Sequence, residues 1–81
     1  MKVVYRNHAV ERMIERRLTP TEVEHVLLFA DGVIPQTKDK AIYYKKMRGR
    51  KDNLIAIVAV KNHDEFEVIT VLVNFEVNHD A

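Results

Sequence analysis

His8, Arg12 and Arg16 recur at every fourth position near the start of this 81-residue chain. On a helix, steps of four drift by only about 40° around the axis, so the three side chains would form one cationic stripe. An imidazole in the first helical turn lies at the positive end of the helix dipole, which favours its neutral form and keeps it available as a general base. Guanidinium groups one and two turns further on offer paired donors that match phosphate oxygens. Such a set could take the proton from a ribose 2′-OH and stabilise the charge that builds on a phosphodiester, with no metal required. The same spacing also suits an ordinary solvated face. Glu11 and Glu15 run beside the stripe, and His8 with Glu11 and Arg12 with Glu15 are complementary pairs at i,i+3.

A second cationic feature is the run Lys45-Lys46-Met47-Arg48-Gly49-Arg50-Lys51, five cations in seven residues. Lysines at a strand margin can serve only to keep an edge from pairing. Their concentration beside Tyr43 and Tyr44 instead supplies what single-stranded nucleic acid requires, phosphate-tracking cations next to an aromatic face. Lys46, Arg48, Arg50 and Lys51 are therefore candidate phosphate contacts, and Tyr44 is the candidate stacking ring. Successive tyrosines alternate across a strand, so one faces the site and the other the core. Thr70 is the only polar residue between Val68 and Val73, and simple alternation puts its hydroxyl on the face of Phe66, Val68 and Leu72. It either bonds nearby backbone or joins a cleft. For metal ligation, His25 with Glu22 and His63 beside Asp64 find no third ligand at recognisable spacing, so neither metal nor cofactor is expected.

The chain's net charge of +1 conceals a division. Residues 1–51 hold twelve Lys/Arg and six Asp/Glu, a balance of +6, whereas residues 52–81 hold one Lys and six acids, a balance of −5. An asymmetry of this kind points to an anionic partner for the basic part. The absence of cysteine excludes disulfide staples, thiolate ligands and a cysteine nucleophile. With 47% hydrophobic residues and two glycines, a disordered or linker protein is excluded as well. The longest apolar run, Leu54 to Val60, is too short to cross a bilayer as a helix, and the N-terminus lacks the apolar core of a signal peptide. A cytoplasmic location without membrane attachment is the expectation.

The elements that must position these residues follow from period and punctuation. Residues 2–6 are a short strand, and Asn7 can cap a helix from His8 to about Arg17 with Ala9, Val10, Met13 and Ile14 as one buried stripe. Thr19-Pro20-Thr21-Glu22 combines a capping box with proline at the first helical position, and Val23, Val26, Leu27 and Ala30 line the inner face of the helix it opens. Asp31-Gly32 would close that helix, with glycine left-handed. Pro35 marks the segment from Val33 to Lys38 as an edge strand. Ala41–Arg48, Asn53–Lys61 and Phe66–Phe75 read as strands, separated by the Gly49 region and by Asn62-His63-Asp64. The tripeptide Asn-His-Asp recurs at 78–80 and reads as turn and tail chemistry. The expected fold is a single α+β domain over residues 1–81: a short N-terminal strand and two helices on one face of a three- to four-stranded antiparallel sheet.

The stretch from Asn7 to Glu24 resembles the HA-x-x-R-M-x-x-R … x-x-E-V opening of a family of small prokaryotic proteins of unknown function. The Val68-Ile69-Thr70-Val71 strand is similar to a later motif of the same family. Those proteins are grouped with the RelE/ParE-like toxins, and more broadly with the barnase, colicin-nuclease and RelE folds. The resemblance implies a curved, RelE-like sheet and metal-independent cleavage of RNA. It implies His8, Arg12, Arg16 and Thr70 as catalytic residues, with Lys46, Arg48 and Arg50 as substrate contacts. The expected partners are RNA, including ribosome-associated RNA, an antitoxin-like protein, and a second copy in a homodimer. A non-catalytic module that binds nucleic acid or a partner protein is the alternative.

Overall fold

The longest strand, β4 (Leu54–Asn62), is the centre of the molecule, with Ile55, Ile57 and Ala59 fully buried on one face. The computed structural model describes residues 1–49 and 54–75. In chain order these form β1 (Lys2–Tyr5), α1 (Asn7–Arg16), α2 (Pro20–Leu28), β2 (Gly32–Pro35), β3 (Lys40–Lys46), β4 and β5 (Glu65–Leu72). The sheet has the order β1-β5-β4-β3-β2. Every neighbouring pair is antiparallel except β1 with β5, which run parallel from Lys2↔Glu65 to Tyr5↔Val68. The α+β class is as expected. The sheet is larger than the three or four antiparallel strands anticipated, and mixed, because the N-terminal strand pairs at its edge.

Both helices cover the same face. Ala9, Met13 and Leu18 from the α1 region and Val23, Val26 and Leu27 from α2 join Ile55, Ile57, Ala59, Phe66, Val68 and Val71 in one core. Ala56 and Val58 consequently look the other way, by the period-2 alternation of a strand. In β5 that alternation is broken by a register shift opposite Val58 and Ala59. Ala59 pairs with Val68 and Val58 with Thr70, leaving Ile69 as the extra residue of a bulge. Before the bulge Phe66 and Val68 face the helices; after it Val71 does, and Thr70 and Leu72 face outward.

α2 begins as its sequence dictates. The Glu22 amide donates to Thr19 Oγ1 at 3.2 Å, and the Thr19 amide donates to Glu22 Oε1 at 2.9 Å, closing the capping box beside Pro20. Its end differs from expectation: the helix stops at Leu28, and Gly32 is the first residue of β2 without a positive φ. The glycine serves another purpose. The Tyr44 ring lies against it across the β2–β3 pair, where any β-carbon would collide with the ring.

α1 is held more lightly. Asn7 is its first helical residue and not its cap; Arg6 takes the cap position without a side-chain hydrogen bond and instead grips Glu67 through Nε–Oε2 at 3.1 Å and Nη2–Oε1 at 3.3 Å. Only Ala9 and Met13 are buried, while Val10 is 42% and Ile14 73% exposed, so the apolar stripe is half as wide as its spacing suggests. The helix ends with Arg17 at φ 56, its amide on the Ile14 carbonyl and the Leu18 amide on the Met13 carbonyl. This is a Schellman ending, with buried Met13 and Leu18 as its apolar pair.

Candidate nucleic-acid interface

The stripe on α1 forms at the surface. His8 and Arg16 are exposed, and Arg12, half-buried, donates from Nη1 to Glu15 Oε2 at 2.7 Å. The two side chains are 40% and 54% exposed, so solvent screens the pair and a phosphate could displace the carboxylate. The three residues share a helix flank, as their spacing predicts.

The second cationic feature is built around a residue the sequence reading assigned only to a helix end. Asp31 lies between α2 and β2, and its Oδ2 accepts from the Lys46 amide at 2.8 Å while Oδ1 meets the Lys45 ammonium at 3.4 Å. Its own amide donates to the Tyr44 carbonyl at 2.8 Å, so the carboxylate extends the β2–β3 ladder by one side chain. The Lys46 amide, chiefly, and the Lys45 charge hold the Asp31 carboxyl below the usual carboxylate range, against a smaller opposing effect of desolvation. Asp31, Lys45, Lys46 and Arg48 line a notch of about 330 Å³. Lys45 is already engaged, leaving Lys46 and Arg48 as the outward cations. Arg50 and Lys51 lie outside the described residues.

The tyrosines divide as alternation requires. Tyr43 faces the helices and meets Phe66 edge-on, with ring centres 5.5 Å apart, and burial raises its hydroxyl pKa. Tyr44 faces outward with Lys46, two residues further along β3. Its ring is tilted toward Phe75 at 6.1 Å and rests on Gly32. Thr70 also faces outward, in a cross-strand row with Val58 and Ile42.

The expectation that Thr70 shares a face with Phe66 and Val68 is thus corrected. The bulge at Ile69 turns it away from them, and α1 packs on the face it leaves. The structure brings Tyr44 and Lys46 to one face and keeps His8, Arg12 and Arg16 together on α1. It does not join these groups: α1 packs over β5, and β4 lies between β5 and β3, a separation of about 10 Å across the sheet. Among the described residues no group of three His, Asp or Glu is placed to hold a metal ion, and no helix is long and apolar enough to cross a membrane.

No curated protein and no solved structure matches the chain. A family profile does, over residues 5–73, from the last residue of β1 to just beyond β5. With both helices and four of the five strands inside that match, the chain belongs to the family described as domain of unknown function DUF4258.

Proposed function

We propose that this protein is an RNA-directed domain that holds phosphates of single-stranded RNA at the end of β3. The observation that carries the reading is the notch beside Asp31, lined by Lys46 and Arg48, with Tyr44 on the same face of β3 as Lys46. Asp31 fixes the backbone of Lys46, so part of the ordering entropy of the site is lost on folding and not on binding. A salt titration of binding to a single-stranded oligonucleotide tests it. The slope of log K against log salt should be negative, about −0.7 per phosphate neutralised, and Lys46→Ala with Arg48→Ala should flatten it. A wild-type slope near zero overturns the reading.

A second reading, an endoribonuclease-like domain of RelE/ParE toxin type, is favoured by the exposed position of His8 in the first turn of α1, ahead of Arg12 and Arg16. His8 takes the 2′-OH proton, the 2′-oxygen bonds to phosphorus, and the bond to the 5′-oxygen breaks as that oxygen takes up a proton. Arg12 leaves Glu15 for the phosphorane, with Arg16 beside it. Thr70 has no part in this step, since it faces the opposite side of the sheet. In this reading the protein works in the cytoplasm, and an acidic antitoxin-like partner or a second copy covers the basic surface. His8→Ala should abolish cleavage of single-stranded or ribosome-bound RNA and leave the fold unchanged. No turnover by partner-free wild-type protein sinks the catalytic reading alone.

A further inference from the structure

The end of the sheet opposite the Asp31 notch carries a cationic pocket built from two hairpin turns that lie far apart in sequence. Pro35, Thr37, Lys38, Asp39, Lys40, Ala41 and Tyr43 from the β2–β3 hairpin meet Lys61 and His63 from the β4–β5 hairpin around a space of about 400 Å³. Lys38, Lys61 and His63 share that lining with one acid, Asp39, and Asp64 lies at the adjoining rim; Lys40 borders it from the other face of β3. Among the described residues, none of Lys38, Lys40, Lys61 and His63 is in an ion pair, in contrast to Lys45 with Asp31. Lys61 instead places its ammonium 5.6 Å from the centre of the Phe66 ring. Cations gathered in this way repel one another, an arrangement that an anionic ligand relieves.

The pocket is also held in shape. The Thr37 amide and the Gln36 amide both donate to the Lys40 carbonyl, at 3.0 and 2.8 Å, and Thr37 Oγ1 accepts from the Lys40 amide at 3.2 Å. The Lys61 amide donates to the Asp39 carbonyl at 2.9 Å, tying one turn to the other strand pair. On the far wall, Asn62↔Glu65 pairing leaves His63 and Asp64 as a two-residue turn, and His63 sits at φ 53. A glycine or asparagine fills such a position with less strain. His63 is the residue this turn contributes to the pocket lining. Pro35, Ala41 and Tyr43 add an apolar wall, and the volume falls in the range of small-ligand pockets.

We propose that this pocket binds a phosphate group, with Lys38 and Lys61 as charge partners and His63 as a donor to the phosphate oxygens. The site is separate from the β3 end and does not depend on it. The test is an amide and imidazole NMR titration of the full chain with inorganic phosphate. In wild-type protein the shifts should centre on residues 36–41 and 61–64, and the affinity should fall about tenfold in the Lys38→Ala/Lys61→Ala double variant. Ile14→Ala, on the exposed flank of α1, should leave it unchanged. His63→Gly relieves the backbone and should still weaken phosphate binding. Equal affinity in the double variant, or the largest shifts elsewhere in the chain, overturns the proposal; unchanged affinity in His63→Gly overturns the role of His63. Repeating the titration with adenosine 5′-monophosphate and with an oligonucleotide lacking a terminal phosphate tells a free or terminal phosphate from a backbone one.

Discussion

The two helices lie on the same face of one sheet and are held there in different ways. α2 has a complete capping box, proline at its first position and Val23, Val26 and Leu27 driven into the core. α1 has no side-chain cap, a non-glycine residue in left-handed conformation at its end, and apolar Val10 and Ile14 left in solvent. Its successive i,i+4 neighbours, Arg12 with Arg16 and Glu11 with Glu15, repel one another. The start and inner face of α2 favour its own stability, although Leu28 and Phe29 at its end are also exposed, whereas several local choices in α1 do not. A helix that gives up local stability on its exposed side is a natural place to look for function, and this one carries His8 and the two arginines.

Leu27→Ala on α2 should give the largest change, a loss of about 3 kcal/mol in denaturant unfolding, because a 6%-exposed side chain leaves a cavity against the sheet. Thr19→Ala should cost about 1 kcal/mol by removing half of the capping box. On α1 the sign reverses: Arg17→Gly should stabilise by about 0.5 to 1 kcal/mol, since glycine adopts the left-handed conformation without a β-carbon penalty. Ile14→Ala should fall within about 0.5 kcal/mol of wild type. A loss from Ile14→Ala that matches Leu27→Ala breaks the comparison, and shows that the exposed flank of α1 is covered in solution, as by a second copy.

The exits from the helices sharpen the contrast at the smallest scale. α1 ends on backbone hydrogen bonds, which do not titrate, whereas the segment after α2 is pinned by the Asp31 carboxylate. The folded pKa of Asp31 is lowered, so its contribution to stability is fully present above the unfolded-state value and is lost as pH falls through the folded one. Carboxyl NMR should find Asp31 titrating below the ordinary aspartate range. Asp31→Asn should remove that part of the acid dependence, with little effect on α1.

Much of the architecture was legible in residue types. Thr19-Pro20 and Glu22 located the start of α2, Pro35 fell at the end of an edge strand, and the all-apolar Leu54–Val60 run became the central strand. What escaped was set by tertiary contacts. The width of the α1 stripe depends on which residues the sheet covers, and it covers Ala9 and Met13 but not Val10 or Ile14, which spacing cannot express. The parallel seat of β1 is a pairing between opposite ends of the described chain. Thr70 was placed on the wrong face because a single extra residue, Ile69, inverts the alternation after it. Of the candidate site, the α1 stripe and the outward Tyr44 with Lys46 were readable from period alone. Asp31 and the meeting of Lys38 with Lys61 and His63 were not, since the sheet brings Asp31 to Lys45 and Lys46 across 14 and 15 positions and the others together across more than twenty.

The parallel pairing of β1 with β5 has a consequence for how the chain is made. Lys2 pairs with Glu65, so β1 leaves the ribosome with no seat until a strand more than sixty residues later has emerged. Neither can α1, which packs over β5, cover its own apolar line before then. Contacts that span most of a chain slow folding, because the loop must close before the pairing rewards it. A nascent fragment that stops short of β5 therefore has no completed surface around α1, and the chemistry proposed for His8, Arg12 and Arg16 requires that strand to be in place.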